Sequence, residues 1–290
     1  MSRILSQLRK FHFSCVNFEP VPLTYTSFTE VVNEKNAPLV IVHGLFGQKQ
    51  NWNSVGKALN RKLECPIYAI DARNHGNSPH VATMSYQEMA EDLASFVDKV
   101  REETGKNKVN LLGHSMGGKI VMKMSMEPMW CDKIEKLIVE DVSPKGYSRK
   151  HVELREIIKA MRGVNLNRTR KEIMIDLETI IPDLAMRQFI VTNLQPSTKN
   201  RGVMEWKCNI DAIDRYVEDI LGHSITLNSY NGPTLFLHGE VSGYVPDDHK
   251  PYILELFPKA VFEAIPGAGH WVHAEKPELF INSVVKYLKN

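Results

Sequence analysis

Residues 113–117 read Gly-His-Ser-Met-Gly and follow the apolar run Val109-Asn110-Leu111-Leu112. A serine on a sharp strand-to-helix turn presents its hydroxyl above the sheet, where an acyl group can reach it. Gly113 and Gly117 leave out the side-chain volume that such a strained turn cannot hold. Serine is a weak nucleophile at neutral pH; it needs a base to take its proton, and the base needs an orienting acid. The candidate base is His270, in Pro266-Gly267-Ala268-Gly269-His270-Trp271. It follows the last apolar run on a glycine-rich loop, and His273 is a weaker candidate. Acyl transfer also requires donors for the developing oxyanion. The N–H of Met116, next to the serine, is one. The loop His43-Gly44-Leu45-Phe46-Gly47 offers the other, with Leu45 preferred and Phe46 second.

The acid is less direct. The apolar run at 234–237 leads into His238-Gly239-Glu240-Val241-Ser242. A carboxylate is expected where Ser242 stands, and a hydroxyl cannot hold an imidazolium by charge. Glu240 comes two positions early. Asp141 ends the preceding apolar run, Leu137-Ile138-Val139-Glu140-Asp141, on the edge of the sheet where ligands gather in open α/β folds. It is the favoured acid, with Asp211 and Glu240 as alternatives. The polar block Asp71-Ala72-Arg73-Asn74-His75-Gly76-Asn77-Ser78 reads as a scaffold near the site mouth.

These residues need a frame. Strands are expected at 23–28, 39–42, 67–70, 109–112, 137–139, 234–237 and 260–265. Helices are expected at 52–59, 85–103, 119–126 and 277–288. Strands alternating with helices imply a mostly parallel sheet covered on both faces. Between Pro144 and Pro233 the strand signal fades, and helical patterns at 152–161, 170–181, 185–193 and 210–221 take over. The chain therefore divides into a core (19–143 and 232–290) and a helical cap (144–231) inserted after the sixth strand. Met161, Met174, Met186 and Phe189 of the cap are candidates to line an acyl pocket.

Composition sets outer limits. The 290 residues carry a net charge of +2, with 43% hydrophobic and 24% charged side chains, a soluble-enzyme profile with no electrostatic case for nucleic acid. No apolar run approaches the length that spans a bilayer. Four scattered cysteines without a C-x-x-C pattern fit a reducing compartment. Residues 1–18 differ: they contain Arg3, Arg9 and Lys10, several serines and no acid before Glu19. A basic, acid-free, amphipathic start is expected to act as a mitochondrial targeting segment; without targeting, a cytoplasmic location is expected.

Taken in order, the blocks Val42-His43-Gly44-Leu45-Phe46-Gly47, Asp71 to His80, Met84-Ser85-Tyr86, Gly113 to Lys119, Asp141-Val142-Ser143-Pro144 and Ala268 to Ala274 resemble the esterase family of α/β-hydrolase domain-containing protein eleven and its bacterial relatives, over residues 20–290. The resemblance implies an α/β-hydrolase fold and matches the family's aspartate to Asp141. It implies hydrolysis of carboxylic esters, with mono- and diacylglycerol-type lipids among the substrates; acyl transfer by serine and histidine is expected to need no metal or organic cofactor. It also implies a mitochondrial matrix location and a link to lipoylated 2-oxoacid dehydrogenase complexes. A thioesterase uses the same machinery, and a silent hydrolase fold acting as a binding protein is the reading from another class.

Overall fold

The computed structural model describes residues 19–147, 151–226 and 228–290; the targeting expectation for residues 1–18 lies outside them. Seven strands form one sheet in the order β1-β3-β2-β4-β5-β8-β9. They are β1 (Tyr25–Phe28), β2 (Leu39–Val42), β3 (Ile67–Ile70), β4 (Val109–His114), β5 (Ile134–Glu140), β8 (Thr234–Gly239) and β9 (Ala260–Ile265). Only β1 runs antiparallel, against β3; the other pairings are parallel. β2 (Leu-Val-Ile-Val) and β3 (Ile-Tyr-Ala-Ile) are buried at every residue. Such unbroken apolar strands arise where helices cover both sheet faces.

Helices α1 (Asn53–Leu63), α2 (Tyr86–Thr104), α3 (Met116–Met126), α8 (Lys250–Leu256), α9 (Val272–Glu275) and α10 (Pro277–Lys289) complete this part of the chain. α2 starts at a capping box: the Ser85 hydroxyl accepts from the Glu88 N–H, and the Glu88 carboxylate accepts from the Ser85 N–H at 2.9 Å. Met89, Leu93, Phe96, Val97 and Val100 of α2 are buried, each worth about 1.5–3 kcal/mol relative to exposure.

Between β5 and β8 lie α4 (His151–Gly163), α5 (Arg170–Asp176), α6 (Leu184–Val191), α7 (Ile210–Gly222) and a two-stranded antiparallel sheet of β6 (Leu194–Pro196) and β7 (Met204–Trp206). Among the described residues the insertion follows the fifth strand, β5, not the sixth: five apolar runs, 23–28 to 137–139, precede it, and each forms one strand. α5 also stops at Asp176 instead of reaching residue 181. Ile173, Leu177 and Ile181 are nevertheless all buried, so the helical spacing reported a core face that outlasts the helix.

The polar block after β3 ties these parts together. Arg73 donates to both Asp92 oxygens, at 2.6 and 2.8 Å, and pairs with Glu88 at 2.9 Å, all three side chains being buried. Removing one partner of such a network strands a buried charge, at a cost of about 3–5 kcal/mol. Asn74 accepts from the Val81 N–H at 2.8 Å and from the Asn209 amide at 3.0 Å, just before α7. The loop thus joins α2 to the insertion, in the scaffold role its polar composition predicts.

Candidate active site

Ser115 stands between β4 and α3 with φ 52° and ψ −114°. A non-glycine residue held there stores about 1–3 kcal/mol of strain, and two glycines make the turn possible. A methyl group on Gly113 would overlap the Gly117 carbonyl, and one on Gly117 would overlap the Val42 carbonyl. The turn leaves the serine hydroxyl at the carboxyl edge of the sheet and at the positive end of α3.

A continuous hydrogen-bonded chain runs from this hydroxyl. His270 Nε2 lies 3.1 Å from Ser115 Oγ, and His270 Nδ1 lies 2.6 Å from Asp141 Oδ2. Asp141 is fully buried. Its Oδ1 accepts from the Gly239 N–H at 3.0 Å, and its Oδ2 accepts from the Ser242 hydroxyl at 2.5 Å. Ser242 therefore holds the carboxylate that reaches in from β5. Of the alternatives, Asp211 lies on α7 with its side chain 77% exposed, ion-paired with Arg162. Glu240 points away and accepts from the Gly267 N–H at 2.9 Å.

Two residues expected to offer backbone amides border the same space. Met116 is the first residue of α3, so its N–H has no acceptor within the helix. Leu45 and Met116 both line the cavity around Ser115. The Phe46 N–H is engaged elsewhere, donating to His75 Nε2 at 3.2 Å. His75 Nδ1 donates to the Arg73 carbonyl at 3.0 Å. His43 likewise donates from Nδ1 to the Gly44 carbonyl at 2.7 Å and accepts at Nε2 from the Ala72 N–H at 3.0 Å. Each imidazole spans two loops as one neutral tautomer and sets the path of the Leu45 segment.

Three further features were not legible in the sequence. Tyr244 stacks on the His270 ring, with centroids 3.9 Å apart and planes 19° apart. His114 Nε2 donates to the His270 carbonyl at 2.9 Å. Glu140 accepts from both the N–H and Nδ1 of His273, at 3.0 and 2.7 Å, and Trp52 stacks on His273 at 4.1 Å. His114, Glu140 and His273 bring ligand-type atoms within 4.8 Å of one another. In this structure these side chains brace the loop that carries His270.

Burial pulls the pKa of His75 and His114 down to about 3, and lowers that of His43. A neutral imidazole in the fold that protonates near 6.5 once unfolded favours unfolding in acid. This contribution is complete above pH 6.5 and is lost as pH falls towards 3. Each of His75 and His114 is expected to remove about 1.4 kcal/mol per pH unit in that window. Urea midpoints measured from pH 7 to pH 4 should fall accordingly, and His75→Gln should flatten the slope.

The cavity at Ser115 holds about 310 Å³, within the range of small-molecule sites. Met186 and Phe189 line it as expected. Met161 does not: it is 1% exposed within the core. Met174 also packs against the core instead, since a methionine at helical spacing serves either purpose.

The model of the α/β-hydrolase fold family matches residues 37–167. The Danio rerio protein named sn-1-specific diacylglycerol lipase ABHD11 is 38% identical over 93% of this chain and 83% of its own length. Esterase YbfF of Escherichia coli is 32% identical over 88% of this chain and 94% of its own. A solved marine microorganism esterase superposes with a TM-score of 0.82 at 36% identity, over 92% of this chain and 99% of that one. With the sheet order, the serine turn and these likenesses together, the chain belongs to the α/β-hydrolase family, among its esterases and lipases.

Proposed function

We propose that the chain cleaves carboxylic esters through an acyl-enzyme on Ser115, with His270 as base, Asp141 as its orienting acid and the Leu45 and Met116 amides as oxyanion donors. The observation that carries this reading is the chain of hydrogen bonds from Ser115 Oγ through His270 to Asp141, at 3.1 and 2.6 Å. Ser115 attacks the ester carbonyl as His270 Nε2 takes its proton. The carbonyl oxygen gains negative charge between the two amides and the start of α3. Collapse expels the alcohol, which takes the proton back from His270. Water then enters, loses a proton to His270 and releases the acid, restoring Ser115.

The substrates are acyl esters, with mono- and diacylglycerols as the lipid class; the names of the relatives and the apolar cavity support this. Residues 144–231 form the cap over that cavity, supported by Leu154, Met186 and Leu221 among its walls. A mitochondrial location and a link to lipoylated complexes rest on the resemblance and the basic start of the chain. Hydrolysis rates over monoacylglycerols, diacylglycerols and matched acyl thioesters test the reading. Ester turnover that Ser115→Ala removes is expected. A folded protein that turns over thioesters alone, or no acyl substrate, would overturn it.

A further inference from the structure

One helical turn beyond Ser115, α3 carries a positive charge that acyl transfer does not use. Lys119 is four residues after the serine, and its N–H donates to the Ser115 carbonyl at 3.1 Å. It is 2% exposed, yet it lines the same cavity as Ser115 and His270. An ammonium has three N–H donors. One goes to the His223 carbonyl, at the end of α7, at 2.6 Å. The rings of Tyr147 and Tyr86 lie 5.2 and 5.9 Å from the nitrogen. Their hydroxyls are already committed, donating to the Tyr244 and Ile220 carbonyls. Among the described residues no carboxylate forms an ion pair with Lys119. Glu153, which also borders the cavity, is exposed.

A buried cation without a counter-ion is costly, and a methionine of similar length would fill the place without that cost. Burial lowers the lysine's pKa to about 8, which leaves it largely charged at neutral pH. Val142, Ile157 and Ile220, also in the cavity wall, are apolar and suit methylene groups. The same cavity therefore holds a reacting serine and an uncompensated cation, carried one helical turn further along α3.

We propose that Lys119 is a specificity residue, and that the cavity takes acyl groups ending in a carboxylate, bound by the Lys119 ammonium while the ester carbonyl lies at Ser115. The proposal rests on the esterase reading of Ser115. The contact with His223 alone would make Lys119 a clamp on α7, and a clamp does not discriminate between acyl groups.

Two measurements separate these roles. In the first, kcat/KM is compared for p-nitrophenyl hexanoate and mono-p-nitrophenyl adipate, with wild type, Lys119→Met and Lys119→Gln. The carboxylate-ended ester is expected to be favoured by about tenfold or more in wild type, and the ratio to collapse in both variants. In the second, monomethyl adipate and methyl hexanoate are titrated calorimetrically into Ser115→Ala and Ser115→Ala/Lys119→Met. Tighter binding of the adipate only where Lys119 is present is expected. Equal preference in wild type, or a preference that survives loss of the lysine, overturns the proposal, and the wild-type result stands even if the variants fold poorly. If wild type hydrolyses neither ester, the esterase reading fails, while the titration still decides what Lys119 binds.

Discussion

Asp141→Asn is expected to lower kcat by about 10⁴-fold with little change in KM. The buried carboxylate receives three donors: His270 Nδ1, the Ser242 hydroxyl and the Gly239 N–H. An amide has one acceptor oxygen and a donor NH₂ in its place. With NH₂ towards His270, the imidazole must carry its proton on Nε2 and cannot take one from Ser115. With NH₂ towards Gly239, two donors face each other in a dry site, at about 1–3 kcal/mol. Neither orientation satisfies the set. Asp211→Asn is the matched control, because that side chain is 77% exposed in a surface pair worth at most about 1 kcal/mol. Steady-state kinetics on both variants, with circular dichroism to show that they fold, checks the assignment. Near-wild-type turnover by folded Asp141→Asn would contradict it.

Ser115→Ala is expected to have the largest effect, a loss of about 10⁶-fold in kcat. Serine and histidine act as one unit in acyl transfer, so His270→Ala should lose a similar amount and the double variant little more. Alanine keeps the backbone at φ 52° with the same strain and removes only the hydroxyl. Stability should therefore stay within about 0.5 kcal/mol of wild type, as for substitutions that disturb no packing. Turnover measured at high enzyme concentration, with denaturant midpoints beside it, checks both parts.

The sequence carried the sheet well because each parallel strand is a short apolar run bounded by turn residues. Residues 39–42, 67–70 and 260–265 match β2, β3 and β9 to the residue. Ser115 and His270 were legible because glycines mark the turns that aim them. Asp141 emerged through a missing acid at Ser242. The role of Ser242 as a donor to that aspartate was not legible, since one hydroxyl in a loop carries no periodic signal. The same holds for Tyr244 on the His270 ring and for Glu140 beneath His273, which depend on residues more than 20 or 100 positions apart meeting in space. β6 and β7 are three residues each, too short for an alternating pattern to show. α8 and α9, of seven and four residues, are below the length at which helical periodicity repeats.

Polar residues around the site divide by what they touch. His43, His75, His114 and Glu140 make contacts that hold loops in place. This division explains why the Asp-Ala-Arg-Asn-His-Gly block is so polar while lying below the surface: Asp71, Arg73, Asn74 and His75 are all buried, and each is matched by loop backbone or by an opposite charge. The cost of burying them is offset by those bonds, which also tie the loop after β3 to the Leu45 loop.

Labelling with a fluorophosphonate probe, followed by peptide mass spectrometry, tests whether Ser115 is an activated nucleophile. The reagent reports a serine whose hydroxyl is activated by a neighbouring base and whose oxyanion is stabilised. One modified residue, Ser115, is expected in folded wild-type protein, with labelling lost in Ser115→Ala and strongly slowed in His270→Ala. Folded wild-type protein that stays unlabelled at Ser115, or that labels equally fast without His270, would contradict it.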